Sequence, residues 1–339
     1  MLYIHQTSSV SPQEGLDSPK GLDSPKGPVN NLLKAVEPRY EGIPGNVLRR
    51  MSKSVRMGTG AALPLLKHSP DGILIGTGYG GMEDSIRFLN QIIDYDEGIL
   101  TPGTFVQSTA NAIASQLGLL AHNRGYNITY VNRGLAFESA LLDAAMLVRE
   151  HPGKSWLVGG VDEISAHKFR FESAEGWYKK EDLTGKDLYR SDTPGTIAGE
   201  GAAVFLVNDR REGALAKISK IVLPGGEDEN GFRSALAGLL EGKSPDLLIS
   251  GENGDSRALN WYRIAESMMG PDTGIARFKH LCGEYPTAAA FALWLACNIP
   301  GTLPKHLLKR PPGRAPRHLL IYNNYKFIQH SLLLLERFL

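Results

Sequence analysis

The sequence predicts an α/β protein with layered sheets, and three observations lead there. Continuous apolar runs such as GILIGTG (72–78) and SWLVGG (155–160) read as strands covered on both faces. Stretches with a helical pattern alternate with these runs along the chain. The chain closes on HLLIYNNYKF (318–327) and HSLLLLERF (330–338), which read as a hairpin.

Taken in order, MLYIHQTSSVSPQ lacks the basic flank and long apolar core of a signal peptide. GLDSPK at 15–20 is repeated at once at 21–26, and its turn-forming residues predict an exposed loop. The span 47–66 predicts one helix, basic in its first half and apolar in its second. Strand 72–78 ends in a glycine turn. A helix then opens near Met82-Glu83-Asp84, where acidic residues suit the positive end of the helix dipole. TPGTFVQST leads into an amphipathic helix over 110–125. A strand–turn–helix follows at 126–147, then the strand 155–160. The polar span 171–196 reads as loop-rich, and 199–209 and 215–223 as strands. In the second half, DLLISGENGD (246–255) is strand then turn, and YPTAAAFALWLACNI (285–299) a buried helix.

Composition excludes several classes. Of 339 residues, 42% are hydrophobic and 22% charged, as in an ordinary globular protein long enough for one large or two ordinary domains. A formal charge of +1 argues against a polyanion-binding chain, so no nucleic-acid partner is expected. Two cysteines, Cys282 and Cys297, cannot build a disulfide framework, and no cysteine or histidine cluster suggests a metal. The most apolar windows are too short to span a bilayer. A cytoplasmic protein without membrane contact or cofactor is the expectation.

One motif tempts and is declined. Gly76, Gly78 and Gly81 satisfy G-x-G-x-x-G after a strand, the nominal dinucleotide fingerprint. The second strand and terminal acid that should follow are missing, since Asp94 and Asp96 have no convincing strand before them. A glycine turn needed for close packing is the better reading.

The strand–turn–helix YNITYVNRGLAFESALLDAAML (126–147) poses the functional question. Such turns hold nucleophiles where the first helical N–H groups favour an anion. Here Asn132-Arg133-Gly134-Leu135 offers no serine, cysteine or threonine.

Read with its surroundings, this segment resembles the β-ketoacyl-acyl carrier protein synthases of the thiolase-like fold. ILIGTGYGG, FVQSTANAIASQLGLLAHNRG, WLVGGVDE, TPGTIAGEGAAVFLV, KHLCGEYPTAAAFAL and NNYKF…SLLLLE follow in the family's order across nearly the whole chain. The resemblance implies two similar α/β halves, 1–208 and 209–339, stacked as α-β-α-β-α layers, although no repeat between the halves is legible. It also implies a cysteine nucleophile, two histidines that assist decarboxylation and stabilise an enolate, and a supporting lysine. Counting back from Gly159-Gly160 puts the nucleophile position at Gly134. Asn253, or Glu252 with a shift, stands for the first histidine. Lys279 is retained, and Glu284 stands for the second histidine. The family's glycine-rich Phe-Gly-Phe-Gly-Gly loop reads Tyr325-Lys326-Phe327-Ile328-Gln329.

Losing all three chemical groups together resembles the chain-length factor, a cysteine-less homologue that pairs with a catalytic ketosynthase. The resemblance thus implies a heterodimer with a ketosynthase, or a homodimer, and contact with an acyl carrier protein. It places the work in fatty acid, aryl-polyene or polyketide biosynthesis. Several residues remain open between roles. Arg133 and Glu138 flank the turn and could pair there, or Glu138 could simply favour the helix dipole. Phe137 and Phe327 are tunnel candidates, with core packing the alternative for Phe137. Cys282 could be a relocated nucleophile or a small buried hydrophobe. Ser139 should bond locally inside its helix, and Cys297 reads as core. Arg49, Arg50, Lys53 and Arg56 could dock an acidic carrier protein or merely be solvated.

Overall fold

Strand order in the main sheet explains how the site is assembled. The protein is described by a computed structural model covering residues 1–13, 26–183, 187–226, 228–299 and 303–338. The GLDSPK repeat therefore lies, but for Lys26, outside the described residues. The first series of strands is β1 (Leu2–Val10), β2 (Leu32–Leu33), β3 (Gly72–Thr77), β4 (Tyr126–Val131), β5 (Trp156–Asp162), β6 (Ala198–Gly199) and β7 (Gly201–Asn208). The second is β8 (Ala216–Val222), β9 (Leu247–Ser250), β10 (Gly274–Arg277), β11 (Leu308–Arg310), β12 (His318–Tyr325) and β13 (Gln329–Arg337). Apart from the small β2–β6 pair, they form one sheet in the order β11-β10-β9-β12-β13-β8-β1-β7-β5-β3-β4.

The repeat that the sequence hides is plain in this order. β4-β3-β5-β7-β1 and β10-β9-β12-β13-β8 have the same succession and the same senses: parallel, parallel, antiparallel, antiparallel. β1 joins β8 antiparallel through Leu2–Ile4 opposite Ile218–Ala216. Asn208, after which the division is expected, is the last residue of β7, just before the connection to β8.

Side-chain alternation sorts each half-sheet between two cores. Ile73 and Ile75 face the helices Lys53–Leu66 and Ala112–Leu120, whereas Leu74 faces the helices Ala136–Glu150 and Ala288–Asn298. In the second half, Leu248 and Leu320 pack under Glu229–Leu240 and Leu259–Ser267, and Ile249 and Ile321 face the shared central helices. Five layers result, α-β-α-β-α. Every residue of Ala288–Cys297 is buried, which explains why that stretch has no polar face.

Two local expectations change. The helix expected over 47–66 is two pieces, Gly45–Leu48 and Lys53–Leu66, with Ser52 capping the second through Val55 N. The span expected to be loop from 171 begins inside a helix, Ala166–Ala174, capped by Ser165. The glycine turn after β3 is a packing device: a Cβ on Gly76 would come within 2.5 Å of the Ala136 backbone. The helix can therefore press directly onto the strand.

Candidate functional site

β4 delivers the chain to the turn and Ala136–Glu150 carries it away, so Gly134, the residue that the resemblance aligns with the nucleophile, lies just before a helix N-terminus. Gly134 is buried there, and its N–H donates to Gln329 Oε1 at 2.9 Å. Gln329 Nε2 donates in turn to the Asn132 carbonyl at 3.3 Å. A Cβ on Gly134 would lie within 2.6 Å of Tyr325 Cγ and collide with Tyr325 Cβ. The tyrosine side chain, 3% exposed, fills the space that a nucleophile's side chain would need. Ser139 bonds locally, donating to Leu135 O at 2.8 Å.

Asn253, Glu284 and Lys279 come together from distant segments. Lys279 Nζ meets Glu284 Oε1 at 2.6 Å, and Asn253 Nδ2 donates to Glu284 Oε2 at 2.9 Å. Thr196 Oγ1 donates to the Asn253 carbonyl at 2.5 Å, and Asp255 N donates to Asn253 Oδ1 at 3.1 Å. Lys279 is fully buried, so this is a buried ion pair with both carboxylate oxygens satisfied. An ionised carboxylate only accepts hydrogen bonds. It cannot stabilise a developing enolate oxygen, and it takes up the lysine charge that otherwise would. Glu252, the alternative with a shift, pairs elsewhere, with Arg277 at 3.2 Å and Lys309 at 2.8 Å.

Cys282 is fully buried, its Sγ donating to Gly283 O at 3.3 Å, and desolvation pushes its thiol well above the usual range. Thiolate, the reactive form, is thereby suppressed. The nearby His280 is held by Tyr189 OH at 3.0 Å and His306 Nδ1 at 3.1 Å. Burial pushes His280 down to about 3, which keeps it neutral. Among the described residues no cluster of three or more metal-ligating side chains occurs.

The proposed Arg133–Glu138 pair does not form. Glu138 is fully buried with neither carboxylate oxygen hydrogen-bonded among the described residues, whereas Arg133 is exposed. Desolvation raises Glu138 to about 7, with the nearby Ser331 hydroxyl and Lys279 charge pulling weakly the other way. Ser331 Oγ is itself buried without a partner in bonding geometry. Phe137 is fully buried core, its ring 5.7 Å from Phe205. Phe327 does border the former site, with its ring 5.3 Å from Trp177.

The space left over is small. Tyr325, Phe327, Trp177, Asn253 and Glu284 enclose a cavity of about 20 Å³, room for about one water. Its outer wall is tied by Lys326 to Glu172 at 2.5 Å, with Glu172 also taking Lys168 at 3.0 Å and Tyr178 OH at 2.7 Å. The lid residues Lys326 and Phe327 hold left-handed backbone, φ 52° and 69°, without glycine. Tyr325 and Gln329 shape the site from the loop that stands for the family's glycine-rich one, and Glu172 and Trp177 shape it with no motif to mark them.

The basic helix is partly spent on internal pairs. Lys53 binds the buried Glu200 at 2.5 Å, and Arg56 grips Glu37 through two bonds of 2.7 and 3.0 Å. Only Arg49 and Arg50 of the four docking candidates stand exposed.

No protein-family profile and no curated relative matches the chain. Solved structures do. A ketosynthase in complex with its chain length factor from Xenorhabdus doucetiae matches with TM-score 0.77 at 13% identity, covering 99% of this chain and 98% of that one. A type II polyketide synthase acyl carrier protein in complex with its ketosynthase matches with TM-score 0.75 at 12% identity, covering 99% of both chains. A β-ketoacyl synthase from Burkholderia phymatum matches with TM-score 0.72 at 14% identity, covering 100% of this chain and 99% of that one. The chain therefore has the thiolase-like fold of the β-ketoacyl synthases.

Proposed function

We propose that this chain is a non-catalytic, chain-length-factor-like partner of a ketosynthase in fatty acid, aryl-polyene or polyketide biosynthesis. The observation that carries the reading is the filled nucleophile turn. Gly134 has no reactive group, Tyr325 occupies its side-chain volume, and Gln329 takes the N–H that would face an acyl oxygen. The paired Lys279–Glu284 removes the electrostatic help for decarboxylation as well. Among the similar solved structures is a ketosynthase bound to its chain length factor, and another holds an acyl carrier protein on a ketosynthase. The carrier would dock mainly on the partner, since Lys53 and Arg56 are already engaged.

A relocated nucleophile at Cys282 is the weaker reading, because burial denies it both substrate and a thiolate. Two measurements test the choice. Co-expression with ketosynthases from the same genome should give a stable heterodimer on size-exclusion chromatography and carrier-bound products that depend on both chains. Homodimers indifferent to every ketosynthase would overturn the reading in favour of a homodimeric acyl- or carrier-binding protein. Incubation with an acyl thioester should leave Cys282 unlabelled by mass spectrometry; specific acylation there would establish the enzyme instead.

A further inference from the structure

We infer that Lys279 and Asn253 join covalently on standing: the lysine Nζ displaces ammonia from the asparagine side chain, and Glu284 carries the protons. The product is an amide between two side chains, made by the protein from its own residues. The parts that such a reaction needs are in place. Lys279 Nζ, the nucleophile, lies 2.6 Å from Glu284 Oε1. Asn253 Nδ2, the leaving group, donates to the other oxygen of the same carboxylate at 2.9 Å. One carboxylate thus holds nucleophile and leaving group together. Asn253 Oδ1 accepts from Asp255 N at 3.1 Å, a donor aimed at the atom where negative charge would build up.

Burial supplies the driving force. Lys279 is fully buried, Asn253 is 7% exposed and Glu284 9%. Charges are costly in such a place, and the cross-linked product carries none. Holding the groups in one arrangement also replaces the chance encounter that a bimolecular reaction requires. On the asparagine side the backbone is fixed by the Thr196 hydroxyl on the Asn253 carbonyl and by the left-handed Gly254, φ 79°. The cavity of about 20 Å³ touches both Asn253 and Glu284. It has room for about one water, and so for the departing ammonia.

The steps balance without an oxidant or a cofactor. A proton passes from the Lys279 ammonium to Glu284 Oε1 and frees the amine lone pair. Nζ adds to Asn253 Cγ, and the electron pair displaced onto Oδ1 is held by the Asp255 N–H. Glu284 gives its proton to Nδ2 as the Cγ–Nδ2 bond breaks, and takes one from Nζ as the new amide forms. Ammonia leaves, and the former ion pair ends as a neutral carboxyl beside a neutral amide. The new bond ties the end of β9 to the turn after β10, its parallel neighbour, and closes a covalent ring that contains the helix Leu259–Ser267. Until conversion the ion pair is intact. The inference does not depend on whether a ketosynthase pairs with the chain.

The test is intact-mass spectrometry of the purified full chain, sampled over days of incubation. The mass should fall by one ammonia, about 17 Da, and a protease digest should yield a branched peptide joining Asn253 to Lys279. Glu284→Gln should slow the conversion about a hundredfold or more, as expected for losing a general acid–base group. Lys279→Arg should yield no branched peptide. Unchanged mass in the wild-type chain would overturn the inference, and that result depends on no variant folding. Loss of the same mass without a branched peptide, reversed by hydroxylamine, would overturn it too, because it marks a succinimide at Asn253-Gly254. Conversion at the wild-type rate in Glu284→Gln would likewise overturn the assignment.

Discussion

Glu138 is a carboxyl group kept from water and from partners, and its titration should be visible in stability. Its folded value of about 7 lies above the ordinary glutamate value of 4.5, so the folded protein holds a proton that the unfolded chain releases. Stability from this group is complete below pH 4.5 and is lost as pH rises through 7. The full swing is on the order of 3 kcal/mol. Glu163 is also raised to about 7 by burial and by Asp84, so the two must be separated by difference. Glu138→Gln should raise Tm relative to wild type at pH 8 and give little advantage at pH 4.5, measured by thermal melts across the range. A Tm difference independent of pH would remove the titration from the explanation. The buried pair behaves differently. Lys279→Met strands Glu284 beside Asn253 and should cost about 3–5 kcal/mol in urea unfolding, while Lys279→Met with Glu284→Leu should recover most of it. Additive losses in that cycle would mean that the two side chains are not coupled.

At the scale of elements, the hairpin β12–β13 acts as a plug. It brings Tyr325 against Gly134 and Gln329 onto the Gly134 N–H, from nearly two hundred residues away in sequence. Gly134→Cys alone should therefore fail to give a reactive thiol and should lose about 1–3 kcal/mol through overpacking. Gly134→Cys with Tyr325→Gly should gain iodoacetamide labelling at residue 134, at a further cost in stability from the cavity left by the tyrosine. Labelling of the single variant at the same rate would show that the tyrosine swings away freely. This plug marks the limit of what the sequence discloses. The strand–turn–helix, the central apolar helix and the terminal hairpin are legible because each carries a local pattern: an apolar run, a breaker or a turn residue. The order of family segments singles out Asn253, Lys279 and Glu284, and the fold brings the three side chains into one hydrogen-bonded group. β1 escapes notice because LYIHQTSSV is half polar, and only its pairing with β7 and β8 makes it central. Tyr325 and Gln329 are marked in sequence only as part of the loop that replaces the family's glycine-rich one. That they close on Gly134 depends on what lies opposite across the fold, and no spacing along the chain encodes that.

For the whole molecule, the two ends of the sheet differ in a way that bears on assembly. β11 is three residues long and carries Lys309 and Arg310, the usual protection of an edge. β4 is six residues, YNITYV, without a charge, and Tyr126 and Val131 on it are exposed. The flanking helices leave Leu119 71% and Met146 54% exposed, and Phe105 and Val106 extend the apolar surface. An uncharged edge strand beside exposed apolar side chains offers both backbone pairing and burial to another chain. The same edge borders the helix that starts at the turn holding Gly134, so a partner seated there would lie beside that turn. Val131→Lys should leave the isolated chain folded, with stability within about 0.5 kcal/mol of wild type, since the residue is on the surface. The charge should abolish co-purification with the proposed ketosynthase partner, because a lysine on the edge opposes strand pairing. A variant that still co-purifies at wild-type yield, with an unchanged elution volume, would move the partner surface away from β4. Loss of both folding and pairing would instead make β4 part of this chain's own stability.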